Sequence, residues 1–349
     1  MFSSILARNL ALLIFVAAIA LLFIYIHALN FFPPALSLTN SPDLQEAGRR
    51  ILPIPASTYV ISLPRRKDRH GEMERLRSRL GVHWDFIPAE DSQSPLVGRI
   101  MTQVRTLRQE ELKVNGHLPN ATISLPFQWP NTSVTPVPFE DLLSPSPNVP
   151  SASDTPLTCA TANFTLVPYS QDLPEYNILS RNRIACWHSH LSAIRRAASH
   201  APEKAALVLE DDVDMEVDIN ARLLGVWNLL PPDWDIVYLG HCWSNESLFP
   251  ALGPPGAPTR LHPSRAPLCT HAYALSSAGA RTLLLHLTYP RFAYSRAIDH
   301  ALAWLVQSGR LKSFSLVPSV VIQRKVGRSD VMPGTGSKWR DRLVHGVLD

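Results

Sequence analysis

Ala206-Leu207-Val208-Leu209-Glu210-Asp211-Asp212-Val213-Asp214 is the stretch on which the reading of this chain turns. Apolar residues run straight into three consecutive carboxylates. A short apolar run bounded by charge predicts a buried strand, and a parallel one with both faces covered fits it best. In open α/β sheets, ligands bind beyond the carboxyl ends of the strands. Glu210, Asp211 and Asp212 stand at such an end. Adjacent carboxylates repel one another unless positive charge holds them. A hard divalent cation takes oxygen ligands and commonly bridges a carboxylate to substrate phosphates. The triplet therefore reads as a metal–diphosphate site or, alternatively, as a solvated acidic turn closing a strand.

Outward from this strand, elements alternate as an α/β chain should. Upstream, Thr58–Leu63 is expected as a strand, followed by the basic turn Pro64-Arg65-Arg66-Lys67-Asp68-Arg69. A helix is expected from about Asp68 to Leu80, with Met73, Leu76 and Leu80 on one face and Gly81 beyond its end. Trp84–Ala89 is the next expected strand. Positive charge at a strand's carboxyl end suits phosphates, an ordinary solvated turn being the alternative. Ile184–Ile194 reads as a helix leading to the central strand, with Leu191, Ile194 and Ala198 apolar on one side. Its Ser189 and His190 face a ligand or serve the core.

Downstream, a helix is expected near Ile219–Leu229 and a buried strand at Asp235–Gly240. His241–Leu268 reads as an irregular Pro-rich loop. A strand at His271–Leu275 precedes a helix Ala278–Leu287 capped by Ser276 or Ser277. A further helix begins at Ala297, with Asp299 and His300 in its first turn. Ser315–Val317 and Ser319–Gln323 read as closing strands. Arg324–Asp349 reads as a basic loop that closes on an anion, or as a disordered end.

With 349 residues, the chain is long enough for one large core or two smaller ones. Hydrophobic residues at 46% suit a globular protein with one membrane segment. The net charge of +4 comes from bases interleaved with acids, which argues against a nucleic-acid partner. Residues 10–29 are uncharged and mostly apolar, which is the length that spans a bilayer as a helix. Arg8 precedes them, and the first charges afterwards are Asp43 and Glu46. This predicts a cytosolic tail at 1–9, an uncleaved signal anchor at 10–29 and a stem at 30–56, with a lumenal domain at 57–349. Residues 92–177 read as an insertion rich in Pro, Ser and Thr, with a helix at Arg99–Val114 and the remainder on the surface. Asn120, Asn131, Asn163 and Asn245 each open an N-glycosylation triplet. Four cysteines in an oxidising lumen allow two disulfides in three connectivities. Cys242–Cys269 with Cys159–Cys186 is the expected set, four buried thiols the alternative.

In this order the pieces resemble glycosyltransferase family 25, which includes lipopolysaccharide and procollagen galactosyltransferases. The resemblance covers about Tyr59–Asp91 and Arg183–Gln323. Its carriers are Val60-Ile61-Ser62-Leu63 with Arg65 to Arg69, Ala89-Glu90-Asp91, Ala185-Cys186-Trp187-His188-Ser189-His190-Leu191 and Leu207 to Asp212. Trp234 to Gly240, Ala272 to Ser276 and Ile298-Asp299-His300-Ala301-Leu302 complete them. Ser62 stands where the family usually has Asn and Pro64 where it often has Asp, and the insertion is unusually long.

The resemblance implies a glycosyltransferase A-type, Rossmann-like single domain behind the transmembrane helix. It implies an inverting enzyme that moves a sugar, galactose in many members, from a UDP-sugar to a hydroxyl of a glycan or glycoprotein acceptor. Glu210 and Asp212 match the family's DxD-like element, with Asp212 as the direct ligand of Mn²⁺ or Mg²⁺. Inversion needs one general base, for which Asp299 is the candidate; capping the helix is its alternative role. Arg65 and Arg69 are candidates for the donor's phosphates, and Ser189, His190, Glu210 and Asp211 for the rest of the donor pocket. A Golgi or endoplasmic-reticulum membrane location, single-pass and type II, follows. The competing expectation is a catalytically silent, membrane-anchored carbohydrate-binding or scaffolding relative. A metal-dependent hydrolase is a third reading, but the His-rich ligand sets common in such enzymes are missing.

Overall fold

The computed structural model describes residues 56–114, 123–124, 138–143, 155–324 and 342–348. In chain order the strands and helices are β1 (Ala56–Ser62), α1 (Lys67–Leu80), β2 (Asp85–Pro88), α2 (Pro95–Val114), β3 (Ile123–Ser124), β4 (Thr165–Leu166), α3 (Arg181–Ala198) and β5 (Ala205–Glu210). There follow β6 (Val213–Met215), α4 (Ile219–Trp227), β7 (Ile236–Cys242), β8 (Arg260–Pro263), β9 (Leu268–Ser276), α5 (Ser277–Leu287), α6 (Ile298–Gln307), β10 (Ser313–Val317) and β11 (Val321–Gln323).

Seven strands form one mixed sheet in the order β2-β1-β5-β9-β7-β10-β8. β1 runs parallel to both β2 and β5, whereas β9 lies antiparallel to β5 and β7. β5 is thus parallel on one side only, which corrects the expectation of a parallel central strand. The pattern misled because burial on both faces, not strand direction, produces a continuous apolar run. Ala206 and Val208 join one core layer with Trp187, Leu191 and Ile194 of α3. Leu207 and Leu209 join the other with Met73 and Leu76 of α1 and Leu223 of α4. Alternate residues of one strand therefore serve opposite faces, as the pleat requires. This is an α/β architecture of Rossmann-like type.

Local signals fix several boundaries. Gly81 ends α1 at φ +63°, and its N–H donates to the Arg77 carbonyl, a left-handed cap that glycine adopts without strain. Ser180 caps α3 by accepting from the Arg183 N–H, and Ser276 caps α5 by accepting from the Gly279 N–H. Gly240 is required for a different reason. A Cβ there would lie 2.1 Å from the Val321 carbonyl oxygen and 2.2 Å from His271 Nε2. The β7–β9 pairing shifts register on either side of it.

Other expectations need correction. The loop His241–Leu268 contains β8, an antiparallel edge strand on β10 whose Pro263 hid it from the pattern. The described parts of 92–177 are not all surface. Phe139 and Leu157 are buried in the first core layer beside Val97, Ile100 and Val104 at the start of α2, and the Phe139 ring packs 5.0 Å from that of Tyr294. Residues 342–348 are neither free nor loose: the N–H groups of Val347 and Leu348 donate to Asp214, and those of Val344 and His345 donate to Glu216. Asp214, the last acid of the opening stretch, is thereby consumed in holding the chain end. Among the described residues no helix is long and apolar enough to cross a membrane. The expected tail, anchor and stem at 1–9, 10–29 and 30–56 lie outside the described residues, apart from Ala56, which opens β1. Asn120 and Asn131 also lie outside them, while Asn163 and Asn245 are exposed.

Candidate active site

The chain passes from β1 through α1 to β2, then returns to place β5 on the other side of β1. The strand order reverses there, and a crevice opens at the carboxyl ends of β1 and β5, the usual ligand position in such sheets. It is lined by Ser62, Leu63, Arg65 and Arg69 after β1, Ala89 and Glu90 after β2, Ala185, Cys186, Ser189 and His190 on α3, and Glu210 and Asp211. All six residues expected to contact a donor therefore border one cleft. Asp212 and Asp299 lie beyond this lining.

β5 ends at Glu210, and the turn that follows takes Asp211 and Asp212 to different partners. Glu210 continues the face of Ala206 and Val208 and meets α3, where its Oε1 lies 3.3 Å from His190 Nε2 and accepts from the Thr270 hydroxyl at 2.8 Å. His190 Nδ1 sits 3.0 Å from the Tyr273 hydroxyl. Burial by itself would raise the Glu210 carboxyl. The hydrogen bond and charge of His190, with help from His271 and Thr270, prevail and hold it down to about 2. Asp211 turns towards β1 and accepts from the Ser62 hydroxyl at 2.5 Å and from Arg69 Nη1 at 2.7 Å. Arg69 Nη1 also lies 3.2 Å from Asp212. Asp212 accepts from Gln323 Nε2 at 3.3 Å, and its backbone carbonyl accepts from the Arg324 N–H at 2.6 Å. Burial, then the neighbouring charges of Glu210 and Asp211, push Asp212 up to about 7, outweighing Arg69 and Gln323.

Other expected residues are engaged within the chain. Ser189 donates to the Ala185 carbonyl and accepts from the Glu90 N–H, tying α3 to the loop after β2. Arg65 is half-exposed at the mouth and paired with Asp91. Asp299, in the first turn of α6, accepts from the His300 N–H at 2.8 Å and the Cys269 N–H at 3.4 Å. Ala297 is the N-cap residue and has no polar side chain to cap with, but Asp299 takes up the first-turn His300 N–H, so its alternative role at the helix start stands beside the candidate one.

Cys242 and Cys269 are joined, as expected, with their Cα atoms 5.8 Å apart. The expected Cys159–Cys186 bond is not made; both are free thiols. Cys186 borders the cleft, where burial and the charges of Glu210, Asp299 and Asp212 push its thiol well up. Cys159 sits elsewhere, its Sγ 3.7 Å from Arg183 Nη1. Cys242, Cys269 and His271 cluster closely enough to suggest a metal, but the disulfide removes both sulfurs from that role.

Sequence reading missed Ser62 as a partner of Asp211, and also Thr270, Tyr273, Gln323 and Cys186. None of them carried a local signal as a partner of the acids, because sheet order brings them there.

The three acids do not converge into a cage by themselves, since among the described residues only the cysteine–histidine group above brings three ligand atoms within 4.8 Å. They do fit a Mg²⁺ or Mn²⁺ ion that takes one or two carboxylates and completes its shell with water and phosphate. The raised Asp212 carboxyl marks where further positive charge is wanted. No protein-family model matches the chain, and no curated protein matches it significantly. What the fold and site define is thus a Rossmann-like α/β protein with an acid-lined cleft at its topological switch point.

Proposed function

We propose that this chain is an inverting, metal-dependent glycosyltransferase of the A-type fold, moving a sugar from a UDP-sugar to a hydroxyl of a glycan or glycoprotein acceptor. One observation carries the reading: Arg65, Arg69, Ser189, His190, Glu210 and Asp211, chosen from sequence as donor contacts, border a single cleft where the strand order reverses. Galactose is the sugar that the family resemblance favours. Asp212, with Glu210, would hold Mn²⁺ or Mg²⁺. That ion would supply positive charge against the diphosphate as it leaves.

The remaining chemistry falls to the chain's own groups. Arg65 at the mouth is placed to meet a phosphate by exchanging its Asp91 partner. His190 and Thr270 keep Glu210 ionised and oriented. Asp299 takes the proton of the acceptor hydroxyl as its oxygen attacks the anomeric carbon and the bond to UDP breaks. The N–H groups of Cys269 and His300 aim the Asp299 carboxylate, and the disulfide fixes Cys269. We place this domain on the lumenal side of a Golgi or endoplasmic-reticulum membrane, type II. Residues 10–29, the disulfide and the exposed Asn163 and Asn245 support that placement.

Arg69 favours a second reading. Its guanidinium already spans Asp211 and Asp212, as it would in a silent relative that keeps the fold and binds no metal. The deciding experiment assays the full chain with a panel of UDP-sugars and Mn²⁺, with and without glycan acceptors. Metal-dependent transfer is expected. No turnover with any donor, together with no Mn²⁺ binding by calorimetry, would establish the silent reading.

A further inference from the structure

The segment that leaves β7 carries a concentration of exposed apolar surface. Eight large hydrophobic side chains are exposed among the described residues, and three of them, Trp243, Leu248 and Phe249, fall within seven consecutive positions. Trp243 is 56% exposed and adopts φ +57°, a left-handed conformation that strains a bulky residue. Its neighbours hold it there. Cys242, just before it, is bonded to Cys269. The hydroxyl of Ser244, just after it, accepts from the Ala266 N–H at 3.2 Å. The Glu246 carboxylate, 1% exposed, accepts from the Arg265 N–H.

Asn245-Glu246-Ser247 lies in the middle of this stretch and has the form of an N-glycosylation acceptor. Asn245 and Ser247 are both exposed, and the Asn245 side chain makes no hydrogen bond among the described residues. Asn163, the other exposed acceptor, differs: its Oδ1 accepts from the Thr161 hydroxyl, and Thr165 of its triplet is already in β4. Asn245 follows Trp243 by two positions, which keeps their Cα atoms within about 7 Å of each other in any conformation. A sugar on Asn245 Nδ2 is thus within reach of the indole. A sugar ring presents C–H groups on its faces, and an aromatic ring covering them sheds water without breaking a hydrogen bond.

We propose that the Trp243 indole is a preformed seat for the innermost sugar of a glycan carried on Asn245. In the modification, Asn245 Nδ2 bonds to the anomeric carbon of a lipid-diphosphate-linked oligosaccharide. The bond from that carbon to the diphosphate breaks, and the amide gives its proton to a base of the transferring enzyme. The seated sugar covers apolar surface that would otherwise face water. It also braces the segment whose disulfide fixes Cys269, the residue whose N–H meets Asp299. The inference rests on the lumenal placement proposed above and not on the transfer chemistry.

The test expresses the full chain in a mammalian secretory host, maps glycan occupancy by mass spectrometry and follows thermal unfolding. Asn245 is expected to be occupied. Asn245→Gln should lower the midpoint by about 2–3 °C in an otherwise wild-type chain and by less than about 1 °C in Trp243→Ala. Trimming the glycan to its innermost sugar should keep the full gain. The indole should also shift that sugar's ring-proton resonances upfield, which decides the matter if Trp243→Ala does not fold. Asn163 occupied with Asn245 bare would overturn the proposal and leave the lumenal placement standing; both bare would overturn both. An equal loss in the two backgrounds, or sugar resonances where the unfolded chain has them, would overturn it as well. A raised KM for a glycan acceptor in Trp243→Ala, with the response to Asn245→Gln intact, would give the ring to a free acceptor glycan and likewise overturn it.

Discussion

The substitution Asp212→Asn should make the metal-free protein more stable while removing its response to Mn²⁺. Asp212 is held at about 7 against an ordinary value of 3.8. At about 1.4 kcal/mol per pH unit, that gap corresponds to an upper limit of about 4 kcal/mol of strain in the ionised form. The side chain is 13% exposed, so water screens part of the charge, and the amide gives up the attraction of Arg69. About 2 kcal/mol is the expected net gain, or about 4 °C in midpoint for a domain of this size. The amide keeps an acceptor for Gln323 Nε2, so the contact to β11 survives. A carboxyl whose folded value is raised binds more protons folded than unfolded. Its contribution therefore falls as pH climbs from about 4 to about 7 and is level above that. The advantage of the Asp212→Asn variant over wild type should accordingly be largest at pH 8 and less than about half as large at pH 5. Thermal unfolding of both proteins across this range, with and without MnCl₂, provides the measurement. In wild type, Mn²⁺ should stabilise more at pH 8 than at pH 5, because the ligand must shed its proton. A lower midpoint for the variant at every pH, or an unchanged Mn²⁺ response in it, would refute the argument.

Asp299→Asn should reduce transfer by about 10²–10⁴-fold while UDP affinity changes little, because it removes only the proton acceptor; equal loss of both in kinetics and calorimetry would make Asp299 structural. Gly240→Ala should destabilise by about 2–3 kcal/mol, since its Cβ overlaps the Val321 carbonyl and His271; denaturant unfolding at wild-type stability would show that β7 and β11 can part. Ser276→Ala should cost about 1 kcal/mol through loss of the cap on the Gly279 N–H, read in the same assay. Denatured without reductant, the chain should show two reactive thiols, Cys159 and Cys186, and reduction should cost about 3 kcal/mol for a bond closing a separation of 27 residues; four thiols before reduction would remove the disulfide.

Which parts of this molecule could be read from sequence follows from the range over which each was decided. The strand ending in Glu210, the helix closed by Gly81 and the one capped by Ser276 are written within a few residues, and all three stand in the fold. The partners of the acids come from far away. Ser62 lies 149 residues from Asp211, Thr270 60 from Glu210, and Gln323 111 from Asp212. Sheet order and the β6–β11 pairing bring them in, and no local pattern encodes either. The direction of β9 was equally invisible, because an antiparallel strand covered on both faces looks like a parallel one. The failed Cys159–Cys186 pairing shows the same boundary. Parity of cysteines suggested two bonds, but α3 turns Cys186 to the cleft while Cys159 stays with Arg183.

Adjacent acids in sequence are not equivalent acids in space, and that distinction bears on how the cleft can work. Glu210 is on one face of the sheet with His190 and Thr270, which stabilise its charge. Asp211 has Ser62 and the shorter of the two Arg69 contacts. Asp212 has the longer contact to a cation already shared, and an amide. One guanidinium divided between two carboxylates leaves a deficit of positive charge, and the longer contact, with Glu210 and Asp211 alongside, leaves that deficit on Asp212. A divalent cation arriving with a diphosphate would be drawn to that residue rather than to the triplet as a whole. Arg69 would then return fully to Asp211 as the ion relieves Asp212. If the proposed metal site is right, Asp212 would be the carboxylate that gains most from the ion. The arrangement also explains why neutralising Asp211, which already has its counter-charge, should weaken Mn²⁺ binding far less than neutralising Asp212.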